Sequence, residues 1–314
     1  MSFDVCCVGH MCMDVLIKPV DALPEKGTLQ YIDSVHQYTG GCALNTASAL
    51  AKLGMRTTIA GKIGEDGFGS FLEKTLQERG VSTDGLVKEK GGTTSASIVA
   101  IGSDGERTIF HCLGTNATMC YEDVDKSQVM QSQVLFVGGA FLLPAFDGAD
   151  AAQLLREAQN AGVLTAMDTA WDSSGRWLPS IALALAYLDW FMPSVEEAEQ
   201  MLGTRQPEAL AKRFKELGVK NVVIKLGSKG CYVEPAGEEG RYFSSLSVPC
   251  VDTSGAGDAW CAGFLTGLVK KMSVWDAAML GNVVGAMCIT QVGTSDGIAD
   301  YETTMKFIKG RNMQ

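Results

Sequence analysis

The chain has 314 residues and a formal charge of −10, with 46% apolar and 20% charged residues. That length and apolar share suffice for a large buried core and argue against a disordered chain. The acidic balance disfavours a nucleic-acid binder, which needs a basic surface, but leaves small anionic ligands open, because backbone dipoles or a metal ion can hold them.

Short apolar runs alternate with helical periods. In chain order, 4–8 reads as a strand, 43–53 as a helix, 57–60 as a strand and 68–79 as a helix. Further on, 134–137, 163–167 and 190–192 read as strands, with a helix at 149–161 between the first two. Helices follow at 196–202 and 207–217, strands at 222–225 and 231–233, and helices at 256–269 and 274–291. Gly54, Gly80, Gly162, Gly203 and Gly218 close predicted helices, where glycine supplies the left-handed cap. The alternation predicts an α/β chain with a mainly parallel sheet covered on both faces, binding ligands at the carboxyl ends of its strands.

Two stretches break the alternation. Residues 28–38 read as an alternating strand, and 95–101 and 106–112 flank the hairpin signal Gly102-Ser103-Asp104-Gly105. These segments predict a small separate sheet, either a lid formed by about 28–38 and 92–115 or an ordinary edge hairpin. With no repeat or low-complexity linker, residues 1–314 read as one domain with an insert.

Ten cysteines sit largely in apolar runs such as Val5-Cys6-Cys7-Val8, without zinc spacing, and read as buried thiols of a cytoplasmic protein. The N-terminal residues carry no basic leader, and no apolar run reaches the ~18 residues of a membrane span.

The densest chemical signal is Asp252-Thr253-Ser254-Gly255-Ala256-Gly257-Asp258 before a helical period. Small residues admit close backbone approach, and the free N–H groups of a helix start can hold the charge of a transferring phosphoryl group. Asp258 in the first turn is placed to take a proton from an attacking hydroxyl. Locally, the same pattern fits an Asp that merely complements the helix dipole, or a dinucleotide turn. The third glycine of the dinucleotide fingerprint is missing at Trp260, and Gly61-Lys62 is followed by Ile63, so no Walker A loop is present.

With its other motifs, the chain resembles the ribokinase-like carbohydrate kinases, the phosphofructokinase B family, over nearly its whole length. Gly40-Gly41-Cys42-Ala43-Leu44-Asn45 resembles the N-terminal signature, which implies Gly40, Gly41 and Asn45 at the sugar. Asp14, in Gly9-His10-Met11-Cys12-Met13-Asp14, is similar to the carboxylate that grips two sugar hydroxyls. Pro193-Ser194-Val195-Glu196-Glu197 stands where the family shows Asn-x-x-Glu. Ser194 replaces the Asn, while Glu197 implies a residue that orders waters around magnesium; the pair also spells a capping box. Lys225-Leu226-Gly227-Ser228-Lys229-Gly230 resembles the nucleotide turn, and Asn282 a residue beside adenine. Gly255, Ala256 and Gly257 match the anion hole and Asp258 the base. Asp252, Ser254, Cys288, Gln291, Gly293 and Gly297 match a monovalent-cation loop of many relatives.

The resemblance implies a three-layer α/β/α ribokinase-like domain with a β-sheet lid, often an interface in homodimers. It implies ATP, Mg2+ and, in many relatives, K+ as cofactors, and a small sugar-like acceptor. Asp168-Thr169-Ala170-Trp171-Asp172, ending at Arg176-Trp177, departs from the family's Asp-Pro-Asn-x-Arg stretch, so the acceptor stays open. Arg107, His111 and Asn116 are candidate substrate readers or ordinary polar residues of the lid. A nucleoside kinase would share every motif, with Tyr31, Tyr38 or Phe141 as aromatic walls; a sugar sensor without catalysis is the reading from another class.

Overall fold

A computed structural model describes residues 2–104 and 106–311; Gly105, of the predicted hairpin turn, lies outside them. The N-terminal half runs β1 (Phe3–Gly9), β2 (Cys12–Lys18), β3 (Ser34–Gly40), α1 (Cys42–Lys52), β4 (Thr57–Gly64), α2 (Gly67–Glu78), β5 (Ser82–Glu89), β6 (Ala96–Ile101) and β7 (Arg107–Cys112). After α3 (Lys126–Met130) come β8 (Ser132–Ala140), α4 (Ala149–Asn160), β9 (Leu164–Thr169), α5 (Leu178–Leu185) and β10 (Trp190–Phe191). The chain continues through α6 (Val195–Leu202), α7 (Pro207–Glu216), β11 (Asn221–Lys225), β12 (Cys231–Glu234), β13 (Arg241–Phe243), α8 (Ala256–Val269), α9 (Val274–Cys288) and α10 (Tyr301–Arg311).

The large sheet has the order β13-β12-β11-β10-β9-β8-β1-β4-β5 and is parallel except at β12 and β13. Its interior strand β1 is apolar at successive positions because helices cover both faces. Val5 and Cys7 join the core under α1, α8 and α9, whereas Cys6 and Val8 join the core under α4 to α7. The chain moves outward from β1 to β4 on one side and returns through β8 on the other. This reversal opens a crevice at the carboxyl ends of β1 and β8. Gly9 and Gly138 approach there so closely that a Cβ on Gly9 would overlap the Gly138 carbonyl.

A separate sheet has the order β3-β2-β6-β7. The hairpin expected from the glycine signal is present, with Ala96 opposite Cys112 and Ile101 opposite Arg107. The expected strand at 28–38 is shifted: β3 begins at Ser34, because β2 offers ladder partners only as far as Lys18 opposite Ser34. Residues 28–31 stay exposed and outside any strand. Neither β2 nor the polar edge strand β5 was expected, since β2 follows β1 after only two residues and β5 lacks an apolar run. The helix expected over 274–291 ends at Cys288. No helix among the described residues is long and apolar enough to cross a membrane.

Candidate active site

Two helix starts converge on Asp258. Gly255 caps α8 at φ 73°, and an added Cβ would lie 2.7 Å from Thr294 Cβ, so only glycine fits this turn. Gly41 caps α1 at φ 95°, packed against the His10 carbonyl. Asn45, one turn into α1, donates from Nδ2 to Asp258 Oδ2 at 2.8 Å, and Thr46 Oγ1 donates to the Asp258 carbonyl at 3.3 Å. Asn45 Oδ1 has no hydrogen-bond partner among the described residues. Burial, joined by the nearby Asp168 charge, pushes the Asp258 carboxyl up to about 7; the Asn45 amide and Lys225 oppose that rise.

One side of α8 borders a cavity of about 620 Å³ lined by Lys225, Gly227, Ser228, Gly230, Gly257 and Asn282, among others. Its size and partly apolar walls suit a nucleotide. Lys225 Nζ reaches the Asp168 carboxylate at 2.6 and 2.7 Å, and a Cβ on Gly257 would lie 3.2 Å from that amine. The ammonium therefore stands beside the α8 start, held by a buried counter-ion. Asn282 lines the wall, but its side chain accepts from Trp260 Nε1 and donates to the Phe243 and Ser244 carbonyls.

The Ser194–Glu197 capping box is present, with Glu197 N donating to Ser194 Oγ at 3.3 Å and Ser194 N donating to Glu197 Oε2 at 2.9 Å. Glu197 Oε2 also accepts from Thr169 Oγ1 at 2.7 Å. Burial raises the Glu197 carboxyl, against the pull of Lys225.

A second cavity, about 450 Å³, lies at the β1–β8 crevice between the two sheets, lined by His10, Asp14, Gly41, His111, Trp171 and Ser254 among others. Asp14 accepts from the Cys12 thiol at 3.4 Å, and Gly40 leaves room for its carboxylate, which a Cβ would overlap. Burial raises the Asp14 carboxyl, offset by the hydrogen bond of Ser97.

Arg107, at the start of β7, crosses to the motif before α8. Its Nη1 donates to Ser254 Oγ and its Nη2 to Asp252 Oδ1, both at 2.9 Å. Asp252 also accepts from Ser254 N on Oδ1 and Gly293 N on Oδ2. Cys288 directs its thiol at the Ser254 and Thr294 carbonyls, 3.5 and 3.2 Å away. Gln291 is exposed, and Gly297 packs against the Met287 and Cys288 carbonyls.

The sequence did not single out His10, although its place just beyond an interior strand, at the crevice, was the available signal. Nor did it foresee the Asp168–Lys225 pair, whose partners are 57 positions apart. Of the aromatic walls considered, Tyr31 is exposed, Tyr38 lines a neighbouring cavity and Phe141 is buried against Trp177; Trp171 lines the cavity at the β1–β8 crevice instead. Asn116 is buried, its amide donating to the Met11 carbonyl.

Several proteins are similar along their length. An uncharacterized sugar kinase of Archaeoglobus fulgidus is 30% identical over 79% of this chain and 97% of its own length. An ATP-dependent 6-phosphofructokinase of Thermoanaerobacterium thermosaccharolyticum is 28% identical over 96% of this chain and 92% of its own length. The structure of Arabidopsis thaliana ribokinase complexed with ribose and ATP matches with a TM-score of 0.87 at 24% identity, covering 98% of this chain and 99% of that one. At that identity the likeness speaks for the ribokinase-like fold. The model of the pfkB family carbohydrate kinases matches residues 2–300, and with it and the 30%-identical relative the chain belongs to that family of sugar kinases.

Proposed function

We propose that the protein transfers the γ-phosphate of ATP to a hydroxyl of a small sugar-like molecule, with Asp258 as general base. The observation that carries this reading is the position of Asp258. It follows Gly257, which borders the larger cavity, and it is hydrogen-bonded to Asn45, one turn beyond Gly41 at the smaller one. ATP in the larger cavity would direct its terminal phosphate at the N–H groups of Gly255, Ala256 and Gly257, of which that of Ala256 makes only a long 3.3 Å bond to the Thr253 carbonyl, with Lys225 alongside. An acceptor hydroxyl near Asp14, Gly41 and Asn45 would then attack in line as Asp258 removes its proton. The four-stranded sheet serves as the lid of the smaller cavity, which limits loss of phosphate to water.

No group of three or more His, Cys, Asp or Glu side chains among the described residues forms a metal cage. The buried Glu197 carboxylate suits a magnesium ion carried by phosphate oxygens and water. When bound, magnesium would neutralise phosphate charge. The motif around Asp252 fits potassium poorly, because both carboxylate oxygens already accept hydrogen bonds and Cys288 directs its thiol at the Ser254 and Thr294 carbonyls. Free thiols, most of them buried or partly buried, support a reducing compartment such as the cytoplasm. The apolar outer face of the lid supports a homodimer.

The test is ADP release with magnesium and a panel of sugars, polyols and nucleosides. Wild-type protein is expected to release ADP with at least one acceptor. Asp258→Asn should lower kcat by ~10²–10⁴ with little change in ATP binding. Wild-type turnover in that variant would remove Asp258 as the base.

A further inference from the structure

In the smaller cavity one side chain is built in without a partner. His10 is 5% exposed, and neither Nδ1 nor Nε2 has a hydrogen-bond partner among the described residues. Its seat is specific. Gly139, at φ 85°, leaves the space the ring occupies, since an added Cβ would lie 2.5 Å from His10 Cβ and 3.3 Å from Cγ. His111 meets the imidazole edge-on, with ring centroids 5.7 Å apart. His111 is itself engaged, through Nδ1 and Ser97 Oγ at 3.1 Å. Buried polar groups are almost always satisfied, and an unmade bond at such a place is costly, so two buried, unpartnered nitrogens on a residue that lines a cavity point to a ligand.

The chemistry of the walls narrows that ligand. Among the described residues lining the cavity, Arg107 is the sole Lys or Arg, and its guanidinium is fixed on Asp252 and Ser254. Asp14 supplies a carboxylate. A phosphate or carboxylate on the acceptor would meet that negative charge with no uncommitted cation to offset it. Burial and His111 lower the His10 pKa to about 3, so at neutral pH the ring offers one donor and one acceptor. Hydroxyl groups match both, because each can donate and accept.

Building on the kinase reading, we propose that His10 is a specificity-determining residue of the acceptor cavity and that its two ring nitrogens hydrogen-bond the hydroxyls of an uncharged polyhydroxy acceptor. Asp14 and Asn45 Oδ1 take other hydroxyls of the same molecule.

The experiment begins with the wild-type protein, ATP and magnesium, and a panel of pentoses, hexoses, polyols, inositols, nucleosides, sugar phosphates and sugar acids, read by ADP release. The best acceptor is then measured against His10→Leu and His10→Gln, and against its monodeoxy analogues. An uncharged acceptor is expected to lead. His10→Leu should lose about 30-fold or more in kcat/KM for it while KM for ATP stays within about twofold. His10→Gln, which keeps a donor and an acceptor, should recover part of that loss. At least one deoxy analogue should be poor for the wild type yet no worse than the parent acceptor for His10→Leu. A leading acceptor that carries phosphate or carboxylate overturns the assignment. So does a His10→Leu protein with wild-type kcat/KM and the same acceptor ranking. If His10→Leu does not melt cooperatively, His10→Met, which also removes the donor and the acceptor, carries the test, and an unchanged ranking of the deoxy series in it overturns the proposal. A wild-type protein that releases no ADP with any acceptor overturns the kinase reading itself, and this assignment with it.

Discussion

Asp258 is held where its charge is expensive, and that has two measurable consequences. In the proposed role of base it works deprotonated, and burial pushes its carboxyl up to about 7. The turnover rate should therefore fall about tenfold per pH unit below 7 and level off above it, a limb absent from Asp258→Asn. Stability should move the other way. The folded protein holds this proton far more tightly than the unfolded chain, whose carboxyl keeps the ordinary 3.8. The stabilising contribution is whole below 3.8 and lost as pH rises through 7. Asp258→Asn should accordingly melt several degrees higher than the wild type at pH 8, with the gap closing toward pH 4; equal melting at pH 8 would show that the carboxylate is not strained. Lys225 obeys a related rule. Removing it strands the buried Asp168 charge, so Lys225→Met should cost ~3–5 kcal/mol in denaturant unfolding, and adding Asp168→Leu should recover much of that stability without activity. The Asp258 loop was legible in the sequence because its small residues and acid are contiguous. His10 and the Asp168–Lys225 pair were not, because their meaning depends on neighbours from other strands.

At the level of elements, helices were the easiest to read, since the 256–269 period coincides with α8 and its glycine start. Strands were legible where both faces are buried, as in β1, and illegible where polar residues line an edge, as in β5. The four-stranded sheet lay between these cases: its hairpin carried a turn signal, but β2 hid directly behind β1. Arg107 joins this sheet to the segment before α8. The side chain is 40% exposed, so the link is modest, near 1 kcal/mol. Arg107→Ala should raise the acceptor KM about fivefold and increase ATP hydrolysis without acceptor, both measurable by ADP release; an unchanged hydrolysis rate would separate this arginine from lid closure. The strand registers put Ser97 and His111 on the cavity side, leaving Ile98 and Phe110 on the opposite face with Val35, all well exposed. A second copy of the chain would bury them. Phe110→Glu should turn a dimer into a monomer in light scattering, whereas a wild-type protein already monomeric at high concentration would remove this interface.

For the whole molecule, the parallel sheet determines where ligands meet, because its strand order reverses beside β1 and the carboxyl ends of β8, β9 and β11 bring Gly138, Asp168 and Lys225 toward one rim. The two cavities lie on either side of the α8 start, and they share the segment from Asp252 to Asp258: Thr253 and Gly257 border one, Ser254 the other. Arg107 ties the four-stranded sheet, the proposed lid, to this shared segment. Nucleotide that orders the segment should thereby favour the arrangement in which the lid covers the acceptor, and the acceptor should favour nucleotide by the same factor, since coupling between two binding equilibria is reciprocal. Coupling of 1–3 kcal/mol corresponds to about 5- to 150-fold. Titration calorimetry on the protein, with the acceptor identified by the ADP-release screen and a non-hydrolysable ATP analogue, should find each ligand at least about fivefold tighter when the other is saturating. In Arg107→Ala most of that factor should vanish while affinity for the analogue alone is preserved. Equal acceptor affinities with and without the analogue would mean that the cavities act independently and that the guanidinium bridge does not transmit closure.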